Sequence, residues 1–261
     1  MIISGTLEWA GGTANIIHGC EHDCRYCYAK AGDPRFGRGD PCMWKHEILR
    51  PERLRKIPRV RTGRLMFPSS HDITPRHLDV VIQFIERLLA AGNHLLIVSK
   101  PHLDCTAAIS ERFKDYSDMI LFRFTIGSSD SDVLKFWEPG APSFEERLVC
   151  LEYAFEQGFA TSVSIEPMLD NDVDAVIHQV QPYVTDSIWL GKANMLKARL
   201  TLNGYKDPET LYRANQLLEW QSDPEIMALY ARHRNNPQIR WKESIKKVVG
   251  IQLHTVAGRD E

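Results

Sequence analysis

The feature that most constrains the fold of this chain is a regular alternation of short apolar runs with stretches of helical periodicity. The apolar runs are rich in β-branched and aromatic residues, and they cover residues 13–17, 64–67, 94–99, 119–126, 161–165 and 187–190. Between them, residues 77–91, 143–157 and 170–180 have the three- and four-residue apolar spacing of amphipathic helices. Alternating strands and helices favour parallel strands joined by right-handed crossovers.

The number of strand–helix units narrows the fold class further. Six units before residue 191 are too few for a complete eight-unit barrel. The pattern therefore predicts an α/β fold, a partial (β/α)6 TIM-like barrel over residues 1–191. Beyond this point 207–220 and 223–234 look helical, each opening on Asp-Pro, and 239–248 is a basic amphipathic tail. We expect residues 192–261 to form a helical C-terminal extension packed on the core.

The strongest functional signal is a set of three cysteines, Cys20, Cys24 and Cys27, directly after the first predicted strand. A loop there lies at the carboxyl end of the sheet, where α/β proteins place their chemistry. Three thiols this close are typical of metal ligands, because a disulfide between two would leave an odd thiol. Three thiolates on a four-iron cluster leave one iron open to a substrate. The alternative is a structural zinc site with His18 or His22 as fourth ligand.

The motif C-x3-C-x-Tyr-Cys after the first strand of a (β/α)6 pattern resembles the radical S-adenosylmethionine (SAM) superfamily. The resemblance implies that Cys20, Cys24 and Cys27 hold a [4Fe-4S] cluster, that SAM chelates the open iron, and that Tyr26 lies near the adenine. It also implies that one-electron reduction cleaves SAM to a 5′-deoxyadenosyl radical, which abstracts hydrogen from a substrate. The electron donor is then a reductant protein such as flavodoxin or ferredoxin.

Further motifs resemble the spore photoproduct lyase-like branch, whose members are often called DNA-repair photolyase homologues. These motifs are Cys-Arg-Tyr-Cys-Tyr-Ala at 24–29, Val-Ser-Lys at 98–100, and Trp-Glu-Pro at 137–139 followed by Glu-Arg-Leu at 146–148. The lyase acts on a thymine dimer in DNA, so the resemblance implies a nucleic-acid base as substrate, in thymine-related repair or modification. The lyase has a hydrogen-donating cysteine after its second strand, whereas residues 67–72 contain none. Cys42 and Cys105 remain as candidate hydrogen donors, without a local motif to support them.

Polar side chains at the ends of the second and third strands are candidate contacts of SAM. Ser69, Ser70 and Asp72 follow the second strand, where the superfamily binds the methionyl amine, and their oxygens can accept its protons. The alternative is a turn that caps the next helix. Lys100 ends the third strand, and the resemblance implies that it pairs with the methionyl carboxylate. The alternative is a solvated lysine.

The fourth and fifth strands add three more candidates. Thr125 and Ser128 border the end of the fourth strand, and the resemblance implies that their hydroxyls bind the ribose. Glu166 ends the fifth strand and is a candidate contact of the ribose or the substrate, because carboxylates at such strand ends are typical of function. A salt bridge to an arginine lining the barrel is the alternative.

Charge is distributed unevenly along the chain, whose net charge is −2. Residues 50–64, here called the basic stripe, carry seven cations against Glu52: Arg50, Arg53, Arg55, Lys56, Arg59, Arg61 and Arg64. Such a stripe on an otherwise acidic chain is a candidate contact of DNA phosphates. A solvated helix followed by a loop is the alternative.

The sequence has neither the pattern of a membrane span nor that of a signal peptide. No apolar run approaches the roughly 18–20 residues of a membrane span, and residues 1–12 do not resemble a signal peptide, so we expect a cytoplasmic protein. The leading hypothesis is a radical SAM enzyme acting on a DNA base. One alternative keeps this chemistry and changes the target to a peptide, RNA or a small metabolite. The other is a non-enzymatic zinc- or cluster-binding module that contacts nucleic acid.

Overall fold

Seven parallel strands form the central sheet of the computed structural model, which describes residues 3, 5–35, 40–56 and 59–258. In spatial order they are β1 (Gly12–Thr13), β4 (Arg64–Phe67), β5 (His94–Ser99), β6 (Ile120–Thr125), β7 (Ala160–Ile165), β8 (Ile188–Leu190) and β9 (Ile239–Trp241). A separate antiparallel pair joins β2 (Ile17–His18) to β3 (Ile48–Leu49). The sheet curls into an open half-barrel, which confirms the predicted α/β class and partial TIM-like barrel.

Of the eleven described α-helices, ten lie between strands along the chain and the last one follows β9. They are α1 (Tyr28–Arg35), α2 (Pro51–Leu54), α3 (Leu78–Ala90), α4 (Leu103–Arg112), α5 (Ser131–Trp137), α6 (Phe144–Glu156), α7 (Val173–Val180), α8 (Leu196–Leu202), α9 (Pro208–Trp220), α10 (Asp223–His233) and α11 (Glu243–Val249). Two caps explain why α6 and α9 begin where the sequence predicts. The Ser143 hydroxyl accepts the N–H of Glu146 at 3.3 Å, and the Asp207 carboxylate accepts the N–H of Thr210 at 2.9 Å.

Apolar side chains buried on both faces of the sheet hold the strands and helices together. In α3 the residues Val81, Ile85 and Leu88 recur at the predicted three- and four-residue spacing and are buried against the sheet. Every residue of β6 is buried, as expected for a central strand covered on both faces. Each fully buried aliphatic side chain contributes roughly 1.5–3 kcal/mol, so this layered packing is a major source of stability. None of the described helices combines the length and apolarity needed to cross a bilayer.

The first predicted strand, over residues 13–17, is wrong as a single element. Only β1 joins the main sheet, beside β4, whereas β2 leaves the sheet and pairs with β3. The break lies at Asn15, whose side-chain oxygen accepts the N–H groups of Ser69 and Ser70, each at 2.8 Å. These hydrogen bonds lie at the point where the chain leaves the sheet, and apolar periodicity in the sequence gives no sign of them.

The seventh strand, β9, comes from the C-terminal extension. It pairs with β8 in parallel, whereas the sequence predicts a basic amphipathic tail over 239–248. Only three residues are extended before α11 begins, so the strand is too short for a recognisable pattern. The extension therefore contributes to the core sheet as well as packing on it. A domain boundary at residue 191 stays a prediction, and residues 259–261 of the extension lie outside the described residues.

Candidate active site

A cavity of about 500 Å3 lies at the carboxyl ends of the parallel strands. Its wall includes all three cysteines of the motif, Cys20, Cys24 and Cys27, and none of the three forms a disulfide. The carboxyl end of a parallel α/β sheet is where catalytic groups from successive strand ends converge. The three thiols therefore share one hollow, large enough for a small-molecule ligand.

Local backbone geometry folds the cysteine loop between β2 and α1. Gly19 opens the loop with φ of 89°, and a Cβ there would lie 2.5 Å from the carbonyl oxygen of His46. Only glycine fits such a close approach in the left-handed region. The N–H of Cys20 then donates to the carbonyl oxygen of Trp44 at 2.8 Å, which fixes the start of the loop. Gly19, the residue immediately before the first cysteine of the motif, thus determines the backbone conformation at the start of the loop.

The buried thiols fit an iron–sulfur cluster. Burial raises the pKa of each thiol above its usual value, and at Cys20 the negative charges of Asp72 and the other two thiolates raise it further. Thiolates therefore form here when a cation takes the place of the protons. The iron ions of a cluster supply that positive charge, and their binding releases protons. This donor set matches three cysteine ligands of a [4Fe-4S] cluster.

The histidines of the zinc alternative have other partners. His18 Nε2 lies 2.9 Å from Asp33 Oδ2. His22 Nε2 lies 2.9 Å from His102 Nε2, and its Nδ1 lies 3.2 Å from Asp72 Oδ2. Among the described residues, no three His, Cys, Asp or Glu side chains are placed to hold a single metal ion. Both histidines that the zinc alternative needs are therefore engaged by other side chains.

Most of the predicted SAM contacts line the same cavity as the cysteines. They are Tyr26, Ser69, Ser70, Asp72, Lys100, Thr125 and Glu166. Apart from Tyr26 they come from the ends of β4, β5, β6 and β7, which lie side by side in the sheet. Parallel pairing brings strand ends together that are far apart in the sequence. Their individual roles toward SAM stay predictions.

Three predicted residues lie outside the lining of this cavity. Ser128 is fully buried outside the cavity; its hydroxyl accepts the N–H of Asp130 at 2.9 Å and donates to the carboxylate of Asp170. Its hydroxyl is engaged by the turn before α5, and the ribose contact stays a prediction. Cys42 is exposed in a 3-10 turn and Cys105 is buried in α4. Neither thiol lines the cavity, and their role as hydrogen donors stays a prediction without support from the position of the thiols.

Asp72 is connected to the cysteine loop and does not cap a helix. Its carboxylate accepts the hydroxyl proton of Ser99 and, at 3.0 Å, the N–H of Lys100. Burial alone would raise the pKa of Asp72, but the charges of His22 and Lys100 and these hydrogen bonds hold the pKa well below its usual range. The carboxylate therefore stays ionised in the cavity wall. The capping alternative is wrong, because α3 begins only after His77.

Lys100 points into the cavity and is not a solvated lysine. Its Nζ lies 4.0 Å from Glu138 Oε1 and 5.9 Å from the ring centroid of Tyr26. Burial lowers the pKa of Lys100, but a Cys24 thiolate and the carboxylates of Glu138 and Asp72 raise it overall, so the ammonium group stays charged. Glu138 also accepts hydrogen bonds from the Tyr26 hydroxyl and the Arg147 guanidinium. The Trp-Glu-Pro motif was the sequence signal that could have identified this carboxylate.

The C-terminal extension supplies cavity residues that no sequence motif identifies. Lys242 follows β9, and its Nζ lies 2.7 Å from Glu8 Oε1 and 3.5 Å from Glu166 Oε2. The same ammonium lies 4.1 Å from the Trp9 ring centroid. Glu166 therefore pairs with a lysine, and not with the arginine of the alternative. Arg199 of α8 also lines the cavity.

The buried imidazole of His71 predicts a pH dependence of stability. Its Nε2 accepts the N–H of Ile16 at 3.2 Å, and burial lowers its pKa to about 4. An unfolded histidine has a pKa of about 6.5, so the unfolded state binds the proton first as the pH falls. The contribution of neutral His71 is complete above about pH 6.5 and is lost between about pH 6.5 and 4, a change of about 3 kcal/mol.

Urea titration of the cluster-free protein at a series of pH values measures this change in the free energy of unfolding. The control is His71→Gln, which keeps a side-chain acceptor but has no titrating ring. We expect the variant to lose distinctly less stability than the wild type between pH 6.5 and 4.5. Parallel curves for the two proteins over this range would contradict the prediction.

Comparison with known proteins identifies sequence relatives. Residues 14–179 match the family model of the radical SAM superfamily. An uncharacterized protein of Methanocaldococcus jannaschii is 25% identical over 175 residues, which cover 65% of this chain and 65% of the relative. The chain thus matches slightly less than two thirds of that relative's length.

Solved structures share the fold at low identity. Spore photoproduct lyase complexed with dinucleoside spore photoproduct superposes with a TM-score of 0.55 at 14% identity, covering 90% of this chain and 79% of the lyase. A lyase mutant with bound AdoMet and dinucleoside spore photoproduct gives 0.56 at 14% identity, covering 92% and 78%. Streptococcus suis SuiB bound to its precursor peptide SuiA gives 0.55 at 11% identity, covering 95% of this chain and 52% of SuiB. At these identities the similarity concerns the fold alone.

Proposed function

This chain belongs to the radical SAM superfamily, whose enzymes use a [4Fe-4S] cluster and SAM, and on that premise we propose that it abstracts hydrogen from a nucleic-acid base, in thymine-related repair or modification. The observation that carries the proposal is the position of the basic stripe next to the cysteine cavity. A cleft lined by cations of the stripe shares Ser70 with that cavity. Spore photoproduct lyase, solved in complex with dinucleoside spore photoproduct, has this fold, and so does SuiB, which was solved with a peptide.

The side chains of the cavity suggest how cluster and cofactor are held. Cys20, Cys24 and Cys27 would bind the cluster, which when present supplies the electron for reductive cleavage of SAM. Charged Lys100 is a suitable partner for the methionyl carboxylate, because an ion pair in a sheltered site is strengthened by low polarity. Ionised Asp72 is a suitable acceptor for the protons of the methionyl amine.

Other residues would orient the ribose and substrate and keep water out. Thr125 and Glu166 face the cavity from the ends of neighbouring strands. The contact of 3.5 Å between Lys242 Nζ and Glu166 Oε2 holds this carboxylate in one orientation. Leu7 and Trp9, from the N-terminal segment, provide apolar wall on the same cavity. An apolar wall that excludes water protects a reactive intermediate from side reactions.

Two accompanying proposals concern the cellular setting. The electron donor would be a flavodoxin or ferredoxin, since the reaction needs one electron at a time. The location would be the cytoplasm, where thiols stay reduced; all six cysteines are free, including the exposed Cys42.

Isotope transfer tests the proposed substrate. The protein is reconstituted anaerobically with iron and sulfide and incubated with SAM, a reductant and DNA whose thymine carries deuterium. We expect 5′-deoxyadenosine to form and to contain deuterium, because the radical would take hydrogen from the base. DNA of the same length without thymine is the control and should give no deuterium transfer.

The outcomes separate the remaining alternatives. Formation of 5′-deoxyadenosine without deuterium from any DNA would contradict the proposed base and direct the search to a peptide, RNA or a small metabolite. Absence of SAM cleavage in a protein with its full cluster would contradict the radical chemistry itself. The non-enzymatic alternative is not supported, because the superfamily to which the chain belongs consists of enzymes.

A further inference from the structure

We infer that the basic stripe forms a phosphate-binding cleft beside the reaction cavity, where it holds the backbone of the nucleic-acid substrate. The inference rests on the proposed function, since the phosphate backbone carries the target base. The cleft has a volume of about 430 Å3 and five cations in its wall: Arg50, Arg53, Lys56, Arg59 and Arg61. Among the described residues that line it there is no acidic side chain.

Four of the five cations in this wall have no carboxylate partner among the described residues, and the fifth, Arg50, has an exposed one. Arg50 Nε lies 3.1 Å from Glu52 Oε1, in an exposed pair. In the described parts of the chain, the side chains of Arg53, Lys56, Arg59 and Arg61 form no ion pair. Several cations around one hollow attract a polyanion and release its counterions, whereas they repel one another in its absence. A chain of phosphates is the ligand that this arrangement fits best.

Neighbouring side chains fix the walls of the cleft through backbone groups. Arg87 of α3 donates to the carbonyl oxygens of Leu54 and Lys56, the latter at 3.0 Å. Asn93, which is 1% exposed, accepts the N–H of Arg61 at 3.1 Å. These bonds leave the guanidinium and ammonium groups free for a ligand. Positioning the backbone in advance reduces the ordering cost of binding.

The cleft and the cysteine cavity are separated by one short turn. Ser70 lines both hollows. Asn15, which lines the cleft, fixes the turn with three hydrogen bonds of 2.8 Å, accepting from the N–H groups of Ser69 and Ser70 and donating to the Ser69 hydroxyl. The distance between a phosphate bound in the cleft and a base bound in the cavity would therefore be fixed. Phosphate contacts of this kind set the register, while an extruded base enters the reaction site.

The structure divides the stripe into cations that line the cleft and cations that do not. Arg53 lines the cleft, whereas Arg55, two residues later and also exposed, does not. Arg64 likewise lies outside the lining, at the start of β4. Ile57 and Pro58, within the stripe, lie outside the described residues. Arg53 and Arg55 thus offer a matched pair of positions with different expected roles.

Salt-dependent DNA binding tests the inference. Binding of a fluorescent thymine-containing duplex to the cluster-loaded protein is followed by anisotropy over a salt series. The slope of log affinity against log salt is negative, and each lost phosphate contact reduces its magnitude by about 0.9. We expect Arg53→Gln/Arg61→Gln to reduce the magnitude of the slope by about 1.8, and Arg55→Gln to keep the wild-type slope. Circular dichroism and melting of each variant verify that the fold is retained.

Competition with inorganic pyrophosphate distinguishes a DNA backbone from a small phosphate ligand. The outcomes can be told apart from those of the isotope experiment. We expect inorganic pyrophosphate to displace the duplex only weakly, because it occupies fewer of the cations than a DNA strand. Tight pyrophosphate binding without duplex binding would overturn the backbone assignment. Equal slopes for Arg53→Gln/Arg61→Gln and Arg55→Gln would overturn the cleft, even where deuterium transfer succeeds. Loss of slope only in the double variant would support the cleft, even where deuterium transfer fails.

Discussion

Replacement of Cys24 by alanine is expected to abolish SAM cleavage while the fold stays in place. Cys24 is one of three thiols around the cavity, and alanine in its place has no atom that can bind iron. The change deletes a single sulfur atom beside an existing cavity, so its cost in stability is small compared with a truncated core residue. We expect iron and sulfide content to fall sharply and 5′-deoxyadenosine to drop to the background of the assay.

Cys42→Ala is the matched control for this experiment. It makes the same chemical change at an exposed cysteine outside the cavity. The control should keep the iron content, the absorption of the cluster and the SAM cleavage of the wild type. Full iron content and turnover in Cys24→Ala would refute the assignment of the cluster ligands. Unfolding of Cys24→Ala, seen by circular dichroism, would instead indicate a structural role for this thiol.

The part of the site that sequence could predict is the part that depends on strand ends. Ser69, Lys100 and Glu166 each follow an apolar run, and parallel pairing necessarily brings such positions to one edge of the sheet. The cysteine motif could be predicted for a different reason, since its spacing alone marks metal ligands. In both cases the signal lies in a short stretch of sequence. The pairing of parallel strands, which is common to all α/β folds, then brings these stretches together.

The missed residues depend on contacts between distant segments. Lys242 reaches Glu8 and Glu166 only because a three-residue strand adds to the sheet edge, and so short a strand has no periodicity to detect. Arg199 enters the cavity from α8, where nothing in the sequence distinguishes it from a surface arginine. Ser128 follows a predicted strand as well, yet it lies outside the cavity lining, because the turn before α5 engages its hydroxyl. Side-chain partners of this kind are decided by packing, which a single sequence does not specify.

Glu138→Gln is expected to destabilise the protein by about 3–5 kcal/mol, the cost of removing one partner of a buried ion pair. Glu138 and Arg147 are both fully buried, and the Arg147 guanidinium donates to the Glu138 carboxylate. The substitution leaves this guanidinium and the nearby Lys100 ammonium without their shared counter-charge. Urea unfolding of the cluster-free protein measures the difference. The control is Glu86→Gln, which breaks an exposed Glu–Arg pair with Arg112 and should cost at most about 1 kcal/mol.

The stability difference between the wild type and Glu138→Gln should depend on pH in the way that an ionised carboxylate predicts. Burial alone would raise the pKa of Glu138, but the charges of Arg147 and Lys100 and the hydrogen bond from Tyr26 lower it overall. A carboxylate with a lowered pKa contributes its full stability above the ordinary carboxyl pKa, and the contribution is lost as the pH falls through the lowered value. The gap between wild type and Glu138→Gln should therefore be constant near neutral pH and shrink in acid. A gap no larger than that of Glu86→Gln at neutral pH would show that relaxation of the cavity wall already compensates the buried charges, and that Lys100 does not depend on Glu138.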